Sequence, residues 1–311
     1  MRSFVFPGQG SQSVSMGKDL ADAFPVARRV FEEVDDALSQ KLSKIIFEGP
    51  DTDLNLTENT QPALMAVSLA VAHVLEHAKP GFLKTAKYVA GHSLGEYSAL
   101  TAAGTFSLAD CARLLKIRGQ AMQKAVPVGI GAMAAILGLE LPEVSAIAKE
   151  ASGSEIVSAA NDNSYGQIVV SGHKAAVEKA IALATAKGAK RAILLPVSAP
   201  FHCALMQPAA DAMRSALEGV SLQAPLLPLI ANVSASEVID PAQIRKLLVE
   251  QVTGMVRWRE SVLYMKQQGV AELIELGAGK VLSGLTKRID ADLSGKSIST
   301  PADIDAFVAT I

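Results

Sequence analysis

The sequence predicts an α/β protein built on a mainly parallel β-sheet, and three observations carry that prediction. Short β-rich runs alternate with helical patterns along most of the chain. A serine stands at a glycine-flanked corner between a strand-like run and a helix-like run. A middle segment breaks the rhythm with the order β-α-β-β-α-β, which predicts a ferredoxin-like insert. The chain has 311 residues, 50% of them hydrophobic, enough to bury a large core around one domain carrying a smaller one.

Taken in order, RSFVF (Arg2 to Phe6) reads as the first strand and AKYVA (Ala86 to Ala90) as another. LLPLIANV (Leu226 to Val233) and AELIEL (Ala271 to Leu276) complete the main sheet. Helical periodicity is expected over 25–38, 61–77, 108–125, 204–217, 241–252 and 259–268. In the middle, GAMAAILGL (Gly131 to Leu139) is a strand, and 142–151 is a helix with Pro142 in its first turn. EIVSAA and QIVVSG are strands joined by NDNSYG, read as a loop because it is rich in turn formers. A helix ending at Gly188 and a strand from Arg191 to Val197 close the pattern. The insert is therefore expected over 127–198, within a large discontinuous domain of 1–126 and 199–311.

Composition removes several classes. The net charge of −2 offers no global basic field for nucleic acid. Two cysteines, Cys111 and Cys203, make no disulfide framework and fit a reducing cytoplasm. The N-terminal apolar run breaks at Pro7 and Gly8, unlike a signal peptide, and the apolar stretch from Ala63 to Leu75 is too short to span a bilayer. A cytoplasmic protein without a membrane partner is expected.

Gly91-His92-Ser93-Leu94-Gly95 matches G-x-S-x-G, with a strand before it and a helix after. The spacing is steric: small neighbours let the serine sit on a tight turn with its hydroxyl lifted out of the sheet. The helix after the turn aims its positive end at a reacting carbonyl. Serine needs a base, and the chain has five histidines: His73, His77, His92, His173 and His202. Side chains adjacent on a turn diverge, which disfavours His92. His173 opens a helix of the insert. His202 lies in a loop after the insert's last strand, where catalytic groups are commonly presented. No acid occupies an obvious post-strand loop outside the insert; Asp162 is the best placed, and it lies within the insert. The base is therefore expected to be oriented by something other than a carboxylate.

Two further motifs suggest other chemistries. HVLEH (His73 to His77) matches H-x-x-E-H, a zinc-hydrolase pattern, but also suits histidines at a helix C-terminus. GIGAMA fits G-x-G-x-x-A, yet the residues from Gly131 onward read as a strand rather than the helix a dinucleotide site requires.

FPGQGSQ (Phe6 to Gln12), TQPAL (Thr60 to Leu64), GHSLGEYSAL, IRGQAMQ, NDNSYGQIVVSGHK, HCALM and GAGKVLSGLTKRI occur in one order over nearly the whole chain. In these blocks the sequence resembles the malonyl-CoA:acyl carrier protein transacylases of bacterial fatty-acid synthesis. The resemblance implies a hydrolase-like α/β domain with helices on both faces of its sheet and a ferredoxin-like insert. It implies Ser93 as nucleophile, His202 as base, and Gln251 orienting the histidine through its backbone carbonyl. The oxyanion hole would be the amides of Gln9 and Leu94. Arg118 would grip the free carboxylate of malonate, and Phe201 would leave no room for an α-methyl branch. The implied partners are a coenzyme A thioester and an acidic acyl carrier protein bearing phosphopantetheine. No metal and no tightly bound cofactor are implied. Lys187, Lys190 and Arg191 are candidates for a basic docking patch. A thioesterase or esterase, or a transferase subunit of a malonate-processing complex, would use the same serine.

Overall fold

The strands are β1 (Arg2–Phe6), β2 (Ala86–Gly91), β3 (Gly131–Leu137), β4 (Val157–Ser164), β5 (Gln167–His173), β6 (Arg191–Leu194), β7 (Leu229–Ile230), β8 (Glu237–Val238), β9 (Glu272–Leu276) and β10 (Ser294–Ile298). Between them run α1 (Lys18–Ala23), α2 (Pro25–Leu38), α3 (Leu42–Glu48), α4 (Asp51–Leu54), α5 (Thr57–Ala78), α6 (Gly95–Ala102), α7 (Leu108–Lys124), α8 (Leu141–Ser152) and α9 (Lys174–Ala186). The chain continues through α10 (Gln207–Glu218), α11 (Pro241–Thr253), α12 (Trp258–Gln267), α13 (Val281–Ile289) and α14 (Pro301–Val308). These come from a computed structural model that describes residues 1–197 and 199–310. The expected domain limits at 198 and 311 lie outside the described residues.

The larger sheet has the order β10-β9-β1-β2-β7-β8, parallel except for the short edge strand β8. Its central strands are apolar on both faces because helices cover both. Phe4 and Phe6 of β1 pack with α5 and α6 on one side, while Val5 packs with Trp258 of α12 and Leu282 of α13 on the other. This two-residue alternation is the pleat of the strand. The helices expected at 25–38 and 241–252 form as Pro25–Leu38 and Pro241–Thr253, each with proline in its first turn.

The second sheet is antiparallel, ordered β4-β5-β3-β6, and α8 and α9 pack on it around a core of its own. Two expectations need correction. The NDNSYG segment is not a loop: β4 runs on through Ser164, and only Tyr165 and Gly166 turn. The reason is a partner invisible locally. Val256 donates to Ala160 O and accepts from Asp162 N, so this polar stretch pairs with the segment before α12. The strand expected over 226–233 shrinks to Leu229–Ile230, because Asn232 leaves the sheet to serve the corner at Ser93.

Candidate active site

Parallel strands present their carboxyl ends at one edge, and there β1 and β2 deliver Gln9 and Ser93. The corner is tight. A Cβ on Gly91 would lie 1.9 Å from the Gly95 backbone, and one on Gly95 would lie 2.2 Å from Phe6 O. Ser93 has φ 55°, a conformation non-glycine residues adopt only when the surroundings enforce it. Asn232 enforces it from both sides: its Oδ1 accepts from Ser93 N at 2.8 Å and its Nδ2 donates to Gly91 O at 2.7 Å.

Ser93 Oγ lies 2.8 Å from His202 Nε2. His202 Nδ1 lies 2.9 Å from Gln251 O and 3.1 Å from Gly254 O. Carbonyl oxygens only accept, so Nδ1 carries the proton and Nε2 offers its lone pair to the serine. Burial, then the nearby Arg118 charge, hold the His202 pKa down to about 3, with the two carbonyls pulling the other way. The imidazole is therefore neutral, with its Nε2 lone pair facing the serine. The expectation of a non-carboxylate orienter matches this geometry at Gln251, and Gly254 adds a second carbonyl.

Arg118 is 1% exposed. Its Nη1 donates to Gln61 Oε1 at 2.8 Å, and its Nη2 donates to Gln251 Oε1 at 2.8 Å and to Ser93 Oγ at 3.1 Å. Among the described residues no carboxylate lies within ion-pair distance of it. A cavity of about 110 Å³ opens between these groups, lined by Gln9, Leu94, Met133, Val197 and Phe201 among others. The amides of Gln9 and Leu94 have no hydrogen-bond acceptor among the described residues, and both residues border the cavity.

The other expected residues fall elsewhere. His92 points away from Ser93: its Nε2 bonds Asn163 Oδ1 at 2.9 Å and its ring lies against Trp258. Asp162 pairs with Arg259 at 2.9 Å. His73, Glu76 and His77 are exposed near the end of α5, where Glu76 accepts from Gly81 N. Residues 131–137 are a strand, as the dinucleotide motif could not be. Lys187 pairs with Glu150 at 3.1 Å, while Lys190 and Arg191 are exposed. Sequence reasoning missed Gln61, Glu96, Asn163 and Asn232. Gln61 and Glu96 lie inside the blocks TQPAL and GHSLGEYSAL, so a signal existed; Asn232 lies in none of the family-like blocks.

A serine–histidine pair at the carboxyl edge of a parallel sheet, beside two free amides and a buried guanidinium, is the set of groups that serine-dependent acyl transfer would use. A family model described as the acyl transferase domain matches residues 3–288, and the chain belongs to that family. It is 46% identical over 304 residues to the malonyl CoA-acyl carrier protein transacylase of Escherichia coli strain K12, covering 98% of this chain and 97% of that one. The crystal structure of acyl-carrier-protein-S-malonyltransferase from Bartonella henselae superposes with TM-score 0.97 at 57% identity, covering 99% of this chain and 98% of that chain. A complex of a type II PKS acyl-carrier protein with its malonyl-transacylase matches with TM-score 0.96 at 44% identity, covering 100% of this chain and 99% of the other.

Proposed function

We propose that this chain transfers malonyl groups from malonyl-CoA to the phosphopantetheine thiol of an acyl carrier protein, feeding fatty-acid synthesis. The observation that carries the reading is Arg118. A guanidinium buried beside the nucleophile, held by amide oxygens and with no carboxylate in ion-pair distance among the described residues, suits an acyl group that brings its own carboxylate.

Ser93 Oγ attacks the thioester carbonyl and gives its proton to His202 Nε2. The amides of Gln9 and Leu94 hold the tetrahedral oxyanion. The carbon–sulfur bond breaks and the coenzyme A sulfur leaves with the proton from His202. The carrier thiol then gives its proton to His202 and attacks the malonyl-serine ester, and Ser93 Oγ takes the proton back as it departs. Phe201, only 8% exposed and bordering the cavity, crowds the position an α-methyl branch would need. The antiparallel sheet with α8 and α9 is a ferredoxin-like insert over about 127–198 in the larger α/β domain. The chemistry needs no resident cofactor. Among the described residues no helix is long and apolar enough to cross a membrane.

The test is intact-protein mass after brief mixing with malonyl-CoA. Wild type should gain one malonyl group and lose it to added holo acyl carrier protein; Ser93→Ala should gain nothing. Arg118→Ala should load roughly 30-fold to several-thousand-fold more slowly, the loss expected on truncating one side of a buried charge pair of about 2–5 kcal/mol. Methylmalonyl-CoA should load wild type poorly. Free malonate accumulating without carrier would turn the reading to a hydrolase.

A further inference from the structure

Glu96 is wholly buried on the first turn of α6 and neither gives nor takes a proton in the proposed transfer. Its Oε2 accepts from Asn232 N at 3.0 Å and from Gln251 Nε2 at 2.9 Å. Its Oε1 has no hydrogen-bond partner among the described residues. The two residues it holds are the two that shape the site. Asn232 fixes the corner at Ser93. Gln251 touches three functional groups at once: Oε1 accepts from Arg118, Nε2 donates to Ser93 O at 2.9 Å, and the main-chain oxygen faces His202.

A glutamine amide has two ends of nearly the same shape and opposite hydrogen-bonding sense. Turned end for end, Gln251 would press its NH₂ against the guanidinium, donor against donor, and would offer an acceptor to the Ser93 carbonyl. The acceptors on its Nε2 side therefore decide which way it points. Ser93 O at 2.9 Å and Asn232 Oδ1 at 3.4 Å are two, and both are neutral. Glu96 Oε2 at 2.9 Å is the third, and as a carboxylate it makes the stronger, charge-assisted bond. The charged and titratable groups that interact with Glu96 are Arg118 on α7 and Tyr97 on its own helix. Burial raises the Glu96 carboxyl to about 7, against the lowering pull of Asn232, Gln251 and Arg118. In either protonation state one oxygen remains an acceptor.

We propose that Glu96 is a positioning residue for acyl-group selection: it holds the Gln251 amide with its oxygen toward Arg118, and so keeps the guanidinium aimed at the carboxylate of the incoming acyl group. The inference rests on malonyl transfer as the function and names how its selectivity is built.

The experiment compares loading of Ser93 by malonyl-CoA and by acetyl-CoA, which carries no second carboxylate, in wild type, Glu96→Ala and Glu96→Gln. Glutamine keeps an oxygen able to accept both bonds; alanine keeps neither. Glu96→Ala should lower the malonyl-to-acetyl ratio roughly tenfold or more, the scale of one hydrogen bond to a charged group. Glu96→Gln, which keeps the acceptor without the charge, should recover most of the ratio that the Ala variant loses. A purely structural role would slow both substrates by one factor, and that result, or a Gln variant as unselective as the Ala variant, overturns the inference. If Glu96→Ala does not fold, Glu96→Asp, which draws the carboxylate back by one methylene, takes its place in the same comparison. Wild type that gains no malonyl group would instead sink the proposed function, so the two failures are distinguishable.

Discussion

At His202 two carbonyl oxygens do what a carboxylate does in many serine enzymes: they accept from Nδ1 and leave Nε2 to the serine. They orient the ring without adding negative charge, so burial dominates and the imidazole resists protonation, with its pKa near 3 against an ordinary 6.5. Its ring-proton NMR signal, assigned by its loss in His202→Ala, should therefore stay at the neutral position as pH falls from 8 to 5. A titration midpoint near 6.5 would refute this. The same depression gives stability a pH dependence. Below pH 6.5 the unfolded chain binds a proton that the native ring refuses, so the stabilisation present in full above pH 6.5 is lost progressively toward pH 3. The corner at Ser93 was legible from its own glycine spacing, His202 from its loop after a strand together with the family resemblance, and Arg118 from the resemblance alone. Asn232 was not, since the sequence places it inside a strand expected over 226–233, and its two bonds span some 140 positions of chain.

The strand-turn-helix unit of β2 and α6 works because two glycines let backbones touch. Gly95 lets α6 rest against the end of β1, where a Cβ would stand 2.2 Å from Phe6 O and 2.8 Å from Pro7 O. Neither contact is a flexible side chain that can yield, so Gly95→Ala must part β1 from the corner. The loop carrying Gln9 would move with it. Overpacking of this kind costs about 1–3 kcal/mol of stability, which a chain of this size can survive. Catalysis is less forgiving, since a displacement of about 1 Å costs on the order of 100-fold. Gly95→Ala should thus remain folded by circular dichroism and form malonyl-Ser93 about 100-fold more slowly. Wild-type loading would show that the close approach is dispensable. Elements that carry their own pattern were readable: Pro25–Leu38 matches its expected span to the residue. Elements defined by distant partners were not. β10, SGKSI, has little apolar character and is a strand only because β9 lies beside it. The NDN run of β4 reads as a turn until Val256 is brought alongside.

The cavity lies where the two sheets meet, so the molecule must hold one sheet against the other, and the NDN run does this with its backbone and two side chains. Asn161 borders the cavity, and the main chain around it bridges to Val256. Asn163 bonds His92, the neighbour of Ser93. Asp162, wholly buried, meets Arg259 of α12, whose guanidinium also reaches Glu140 at 3.3 Å and lies over the Tyr165 ring. Burial raises the Asp162 carboxyl and Arg259 pulls it part of the way back. Arg259→Leu would leave that carboxylate buried without its counter-charge, a loss of about 3–5 kcal/mol. Its pKa would then rise further above the ordinary 3.8, so the native state would favour the protonated form more strongly. A raised acid pKa removes stability as pH climbs through the window above 3.8. The deficit of Arg259→Leu against wild type in urea unfolding should therefore be larger at pH 8 than at pH 5. Adding Asp162→Asn should recover most of it at pH 8, because the buried charge is gone. A deficit independent of pH, or one the second substitution does not relieve, would mean that Arg259 acts through packing and that the sheets are held together by other contacts.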